Sequence, residues 1–398
     1  MLLHIIIAIL IGTLAGTLTG LVPGIHINLI GVFLISLSAS LFSSIEPVYL
    51  VVFITSMAIT HTFLDFIPSI FLGCPDTDTE LSILPGHDLL KKGQGYQAVI
   101  LTAYGSLIAV FTLILISFPS VLIISKIYSF ASKLIPYLLL LASFFLISRE
   151  KKKFSALSAF LLSGFLGWSV LNMEIKEPLL PLLTGLFGAS MLITSIKNKT
   201  KIPKQDITIP KKNLSKPITK AFIGSLIASP LCSFLPGLGS GQAAIIGDSI
   251  SKTDKRGFLV LLGATNTLVM GFSFISLYVI SKARTGAAVA IQEIIGSLSL
   301  EILTLILIIV VISGIISFFL TIFLAKFFLQ KIAKINYTVL SVITLVILVI
   351  IVFLISNFSG LAVLTASTFT GIYCISLGVR RTNMMGCLLL PTIILYLF

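Results

Sequence analysis

Charge is what this sequence most lacks. Asp, Glu, Lys and Arg make up 10% of its 398 residues, against 57% hydrophobic residues. Soluble globular chains carry about 25% charged residues, so a soluble fold is excluded. Strand-like alternation of apolar and polar residues is also missing, which argues against an outer-membrane barrel. Cys74, Cys232, Cys374 and Cys387 show no metal-ligand spacing and read as small apolar residues rather than a disulfide framework. A Walker A sequence, a Gly-x-Ser-x-Gly elbow and a His-Glu-x-x-His helix are all lacking, so neither an enzyme nor a drive by ATP is signalled. No Lys or Arg precedes Lys91, so residues 2–22 have no basic leader region and read as a retained first helix, not a signal peptide.

What is present is apolar sequence in long runs, with a mean hydropathy of +1.14. Runs near 2–22, 47–72, 97–124, 257–281 and 296–325 exceed the roughly 18 residues that mark a membrane span. The fold class is therefore an all-α polytopic membrane protein of the cell membrane, in contact with lipid. A net charge of +13 would suggest nucleic acid in a soluble protein. Here the basic residues sit in short clusters between apolar runs, and the positive-inside rule explains them without nucleic acid. Lys151 to Lys153 and the linker at 196–216 are assigned to the cytoplasm, and the more acidic loop at 173–177 to the outside. Counting spans puts the N-terminus outside and Lys331 to Lys334 and Arg380-Arg381 inside. It requires 217–250 to go out and come back, and the loop carrying Lys126 and Lys133 to lie outside.

The linker divides the chain into a first transmembrane repeat, 1–195, and a second, 217–398. Each half carries a Pro-Gly break after an apolar run: Gly20-Leu-Val-Pro-Gly-Ile-His-Ile-Asn28 and Ser233-Phe-Leu-Pro-Gly-Leu-Gly-Ser-Gly-Gln242. Pro lacks an N–H and Gly adopts conformations closed to other residues, so both interrupt helices. Irregular backbone at membrane depth is tolerated where protein or a water-lined cavity surrounds it. Downstream, Thr60-His-Thr62 and Thr265-Asn-Thr267 occupy corresponding places. By the span count the halves start on opposite sides. The expectation is therefore two inverted-topology repeats, whose broken or re-entrant helices meet near the bilayer midplane.

A helix start carries free N–H groups and a partial positive charge, which suits carboxylate or phosphate. The candidate substrate-binding residues are Pro23, Gly24, Ile25, His26 and Asn28 in the first break, and Pro236, Gly237, Gly239, Ser240, Gly241 and Gln242 in the second. The competing reading is of breaks that merely kink packed helices. His61 and Asp65 are four apart on one helix face, and Asn266 stands at the matching place in the second half. A charge at mid-bilayer costs at least ~2.5 kcal/mol and needs a cavity or a partner. These three residues are candidates for cation coupling, through a proton or Na⁺, or are polar glue between helices. The acidic segment Asp76, Asp78 and Glu80 does not fit the 12-residue calcium pattern and reads as a helix start. Lys282 and Arg284 read as an interfacial pair, and Glu301 as interfacial too.

The chain resembles the TctA family, the large membrane subunit of tripartite tricarboxylate transporters, and in particular its archaeal branch. Three stretches carry the resemblance: the two Pro-Gly breaks, Leu84-Pro-Gly-His-Asp-Leu-Leu-Lys-Lys-Gly-Gln-Gly-Tyr-Gln-Ala98, and Gly263-Ala-Thr-Asn-Thr267. It departs from bacterial members at Gly73-Cys-Pro-Asp-Thr-Asp78, where they carry a longer Gly-Pro-Gly stretch, and at Asn266, where they carry a doubled Asn. The resemblance implies cation-coupled, secondary-active uptake of di- or tricarboxylates by alternating access. It also implies a small membrane subunit and an extracytoplasmic binding protein as partners. The stretch 236–247 is similar as well to that of polyprenyl-phosphate translocases, which implies a lipid-phosphate flippase as the alternative. A non-transporting scaffold, and a homo-oligomer of either, are compatible with the residues.

Overall fold

The computed structural model describes residues 2–22, 45–72, 79–148, 150–197, 203, 205–207, 215–234, 239–283, 285–332 and 337–397. Among them there is no strand. In hydrocarbon every backbone N–H and C=O must be satisfied within its own segment, and helices achieve that. In chain order the helices are α1 (Leu2–Leu21), α2 (Pro47–Leu64), α3 (Phe66–Leu72), α4 (Ile83–Leu90), α5 (Gly95–Ser148), α6 (Lys153–Leu171), α7 (Leu179–Leu183) and α8 (Ser190–Lys197), then α9 (Ser215–Phe234), α10 (Ser240–Ser251), α11 (Lys255–Ile280), α12 (Gly286–Ile295), α13 (Leu300–Ile332), α14 (Tyr337–Ser376) and α15 (Gly386–Leu397). Seven helical stretches of the described residues are long and apolar enough to cross a membrane.

Two of the seven differ from the rest. Residues 47–71, formed by α2 and α3, and α11 are 94% buried, whereas the other five are 28–44% buried. The centre of the protein is therefore this pair, and the others turn a face outward. Both central helices carry polar residues that could not face lipid. Their direction follows from two contacts. Thr62 Oγ1 lies 3.1 Å from Thr267 Oγ1, and Asp65, further along α2, meets Asn266, earlier in α11. The two helices cross antiparallel.

Glycines bring the backbones together. A Cβ at Gly12, Gly16 or Gly20 of α1 would meet Phe53 O, Met57 O or His61 O within 2.4–3.2 Å. The positions rise together, so α1 runs parallel to α2 on a small-residue stripe. A Cβ at Gly105 would lie 2.0 Å from Val260 O, and one at Gly263 2.0 Å from Thr102 O, so α5 packs closely on α11. Ser106 Oγ donates to Gly263 O at 3.0 Å across the same contact. Helix α13 packs on α2, where Ser317 Oγ donates to Thr60 Oγ1 at 2.9 Å.

In the second half, α9 and α10 pack through Gly224 and Gly247, each close to the other's carbonyl. Lys220, near the start of α9, donates to Lys252 O just beyond α10 at 3.4 Å, so the pair forms an antiparallel hairpin. Residues 252–254 then reverse the chain into α11, which therefore runs parallel to α9. A second group of helices packs α6 on α15 through Gly167 and Gly386, and α14 on the π-helical turn Thr184–Ala189 through Gly185 and Gly371. The large apolar clusters each draw residues from both halves of the chain, so the halves interleave.

One expectation is corrected. The loop expected at Lys126 and Lys133 is helical, since α5 continues to Ser148 with Pro119 and Pro136 inside it. Only small and hydroxyl residues interrupt the apolar sequence between the two lysines, and none of them stops a helix. Asn357 takes φ 54° inside α14, which bends there. Asn is one of the few non-glycine residues that visits the left-handed region.

Candidate functional site

The site is built where α2 is interrupted. Pro68 has no N–H to give Leu64 O, and its ring crowds that carbonyl, so the helix breaks at Asp65 before resuming as α3. Ser69 N reaches Asp65 O only at 3.4 Å, and Ser69 Oγ takes over with a 2.7 Å bond to the same oxygen. Ser69 Oγ also lies 2.5 Å from Thr79 Oγ1. The interruption turns a carboxylate inward, where it is 3% exposed.

Asn266 of α11, also 3% exposed, faces it. Its Nδ2 donates to Asp65 Oδ2 at 2.7 Å and reaches Thr62 O at 3.4 Å. The Thr62 and Thr267 hydroxyls meet beside this pair. One turn back along α2, His61 Nδ1 lies 3.0 Å from Thr19 Oγ1 on α1. Two antiparallel helices and their flanking partners thus assemble a carboxylate, an amide, a carbonyl and three hydroxyls in an apolar interior. Such a set can hold a proton, or offer oxygen ligands to a hard cation. Among the described residues no group of three His, Cys, Asp or Glu is placed to hold a metal ion.

The structure brings Asp65 and Asn266 into contact and keeps His61 on the same helix one turn away. The anion-binding candidates fare differently. Pro23, Gly24, Ile25, His26, Asn28, Pro236 and Gly237 lie outside the described residues, as do Asp76, Asp78 and Arg284. Gly239 immediately precedes α10 and its carbonyl accepts Ala243 N at 3.1 Å. Ser240 and Gly241 are buried in the first turn of α10, which Gln242 continues. A helix therefore starts directly after the second Pro-Gly. Sequence reasoning did not select Thr19, Ser69, Thr79 or Ser317. Hydroxyls embedded in otherwise apolar runs were the available signal, and Pro68 four residues past Leu64 marked the break.

The model of the family described as tripartite tricarboxylate transporter TctA matches residues 6–386, from within α1 to the start of α15. An uncharacterised protein of Methanocaldococcus jannaschii is 30% identical over 386 residues, covering 94% of each chain. No solved structure matches the chain. The family is one of transporters, not enzymes, and its match spans both central helices and the Asp65–Asn266 contact: the chain is a multi-pass membrane protein that belongs to the tripartite tricarboxylate transporter TctA family.

Proposed function

We propose that this protein is a secondary-active transporter of an organic anion of the di- or tricarboxylate type, coupled to Na⁺ or H⁺ and working by alternating access. The observation that carries the reading is the buried Asp65–Asn266 pair. An ionisable group buried within a membrane span is expensive, and in membrane proteins it marks ion or proton pathways. The family match supplies the substrate class.

Inverted repeats are supported by three likenesses. Helices α1 and α9 are each 20 residues long, each precedes a Pro-Gly, and each runs parallel to the central helix of its own half. The central helices α2 and α11 cross antiparallel. Ser106 of α5 bonds the central helix of the other half, and so does Ser317 of α13. Helix α10, at 12 residues, rises about 18 Å, short of the roughly 30 Å hydrocarbon core, which suits a re-entrant segment. In this reading the two Pro-Gly breaks, with residues 25–28 of the first and the start of α10 after the second, bind the carboxylates, the linker is cytoplasmic and the N-terminus outside. A small membrane subunit and an extracytoplasmic binding protein deliver the substrate.

Uptake of labelled citrate into proteoliposomes, under an imposed Na⁺ or proton gradient, tests the proposal. Uptake is expected with one gradient and not without it, and Asp65→Asn and His61→Ala should lose the dependence. Gradient dependence unchanged in both variants would remove these residues from coupling. Movement of a polyprenyl phosphate between leaflets, with no carboxylate uptake, would replace the transporter by a lipid-phosphate flippase.

A further inference from the structure

Among the described residues, the linker between the halves is fastened to the α4–α5 turn. Helix α4 ends at Leu90 and α5 begins at Gly95, across a turn in which Gly93 takes φ 76°. The last carbonyls of one helix and the first N–H groups of the next lack partners within their own helices. Gln205 of the linker supplies one of each kind. Its Oε1 accepts from Gly95 N at 2.8 Å, and its Nε2 donates to Leu90 O at 2.9 Å and Pro203 O at 2.8 Å. The next residue adds a backbone bond, from Asp206 N to Gly93 O at 2.7 Å. A single side-chain amide thus caps both helix ends.

The start of α11 grips the same turn. Lys255 Nζ is hydrogen-bonded to Asp88 Oδ2 of α4, and Arg256 Nη2 reaches Gln94 Oε1 at 3.3 Å and Gln97 Oε1 at 3.4 Å. The Lys255 hydrogen bond, more than the nearby Lys92 and Lys91, holds the Asp88 carboxyl below the usual carboxylate range. Three separate pieces of chain therefore meet here: the α4–α5 turn of the first half, the α11 start of the second, and the linker that joins them. Asn266 lies 11 residues further along α11, about 16 Å of helix rise.

We propose that Gln205 and the Asp88–Lys255 pair form a latch that closes the linker face of the protein beneath the Asp65–Asn266 pair, and that opening on this side requires both to release. The linker amide fastens the linker to the α4–α5 turn, and the ion pair fastens that turn to the start of α11. The latch rests on the alternating-access reading for its purpose, but its test needs no substrate.

The test is labelling of a single cysteine, Leu262→Cys, in full-length protein whose four natural cysteines are replaced by alanine. Leu262 is fully buried on α11, one turn before Asn266. A membrane-impermeant maleimide is added to vesicles from the linker face or from the opposite face. From the linker face, Gln205→Ala should raise the labelling rate about tenfold, the scale of losing two hydrogen bonds. Asp88→Lys should raise it roughly two- to fivefold, because the pair is largely exposed and such pairs are weak. The charge-swapped Asp88→Lys with Lys255→Asp should return it towards the parent, which separates release of a latch from loss of fold. Unchanged labelling in both single variants overturns the proposal. So does an increase the swap does not reverse, or an equal increase from the opposite face.

Discussion

Replacing Asn266 by alanine probes the central contact most directly. The substitution removes the 2.7 Å bond to Asp65 and the longer one to Thr62 O, and leaves the carboxylate in an interior that excludes solvent. Two magnitudes compete. Hydrogen bonds between membrane helices average about 0.6 kcal/mol, because separated helices find other partners. A hydrogen bond to a charged group contributes about 1.5–3 kcal/mol, because the acceptor it leaves behind is desolvated. Here α2 is enclosed on all sides, so the second figure governs, and Asn266→Ala should cost about 2 kcal/mol. In an Asp65→Asn background the same change should cost less than about 1 kcal/mol, since the charge is gone. A double-mutant cycle on reversible unfolding in bicelles, by steric trapping, measures the difference. Coupling within the ~0.5 kcal/mol that independent sites show would refute the argument.

Three further outcomes are expected. Gly237→Leu should abolish citrate uptake while leaving the helical circular dichroism unchanged, and unchanged uptake would remove that break from the site. Gly105→Ala should destabilise by about 1–3 kcal/mol, as overpacking does, because its Cβ would lie 2.0 Å from a backbone carbonyl, whereas Gly188→Ala, whose nearest neighbour is Leu348 Cδ1 at 3.7 Å, should be nearly neutral; equal thermal shifts would contradict the packing. Acid should weaken the latch: a folded value below the unfolded one means that the Asp88 contribution is present above the unfolded value and is lost as pH falls through the folded one. Thermal stability should therefore decline more steeply below pH ~4 in the parent than in Asp88→Asn, and superimposable curves would sink the point.

The sequence by itself determined the class of the protein and much of its layout. Runs of apolar residues this long, with so few charges, can satisfy their backbones in lipid only as helices. The basic residues on either side of 217–250 fit the antiparallel hairpin that α9 and α10 form. The Pro-Gly after residue 234 marked where one helix ends and the next begins, and His61, Asp65 and Asn266 stood out because polar groups in such runs need partners. Tertiary structure decided which partners they have. Nothing in the order of residues says that Asn266 bonds Asp65 rather than some nearer acceptor, because the contact joins positions 201 apart. Nor does sequence say that α2 and α11 form the enclosed centre while equally apolar helices face outward. That difference comes from which helices pack around which, and a glycine in an apolar run reads the same whether a Cβ there would meet a carbonyl at 2.0 Å or open space. The linker read as a polar spacer, and only its folded position shows Gln205 closing two helix ends at once.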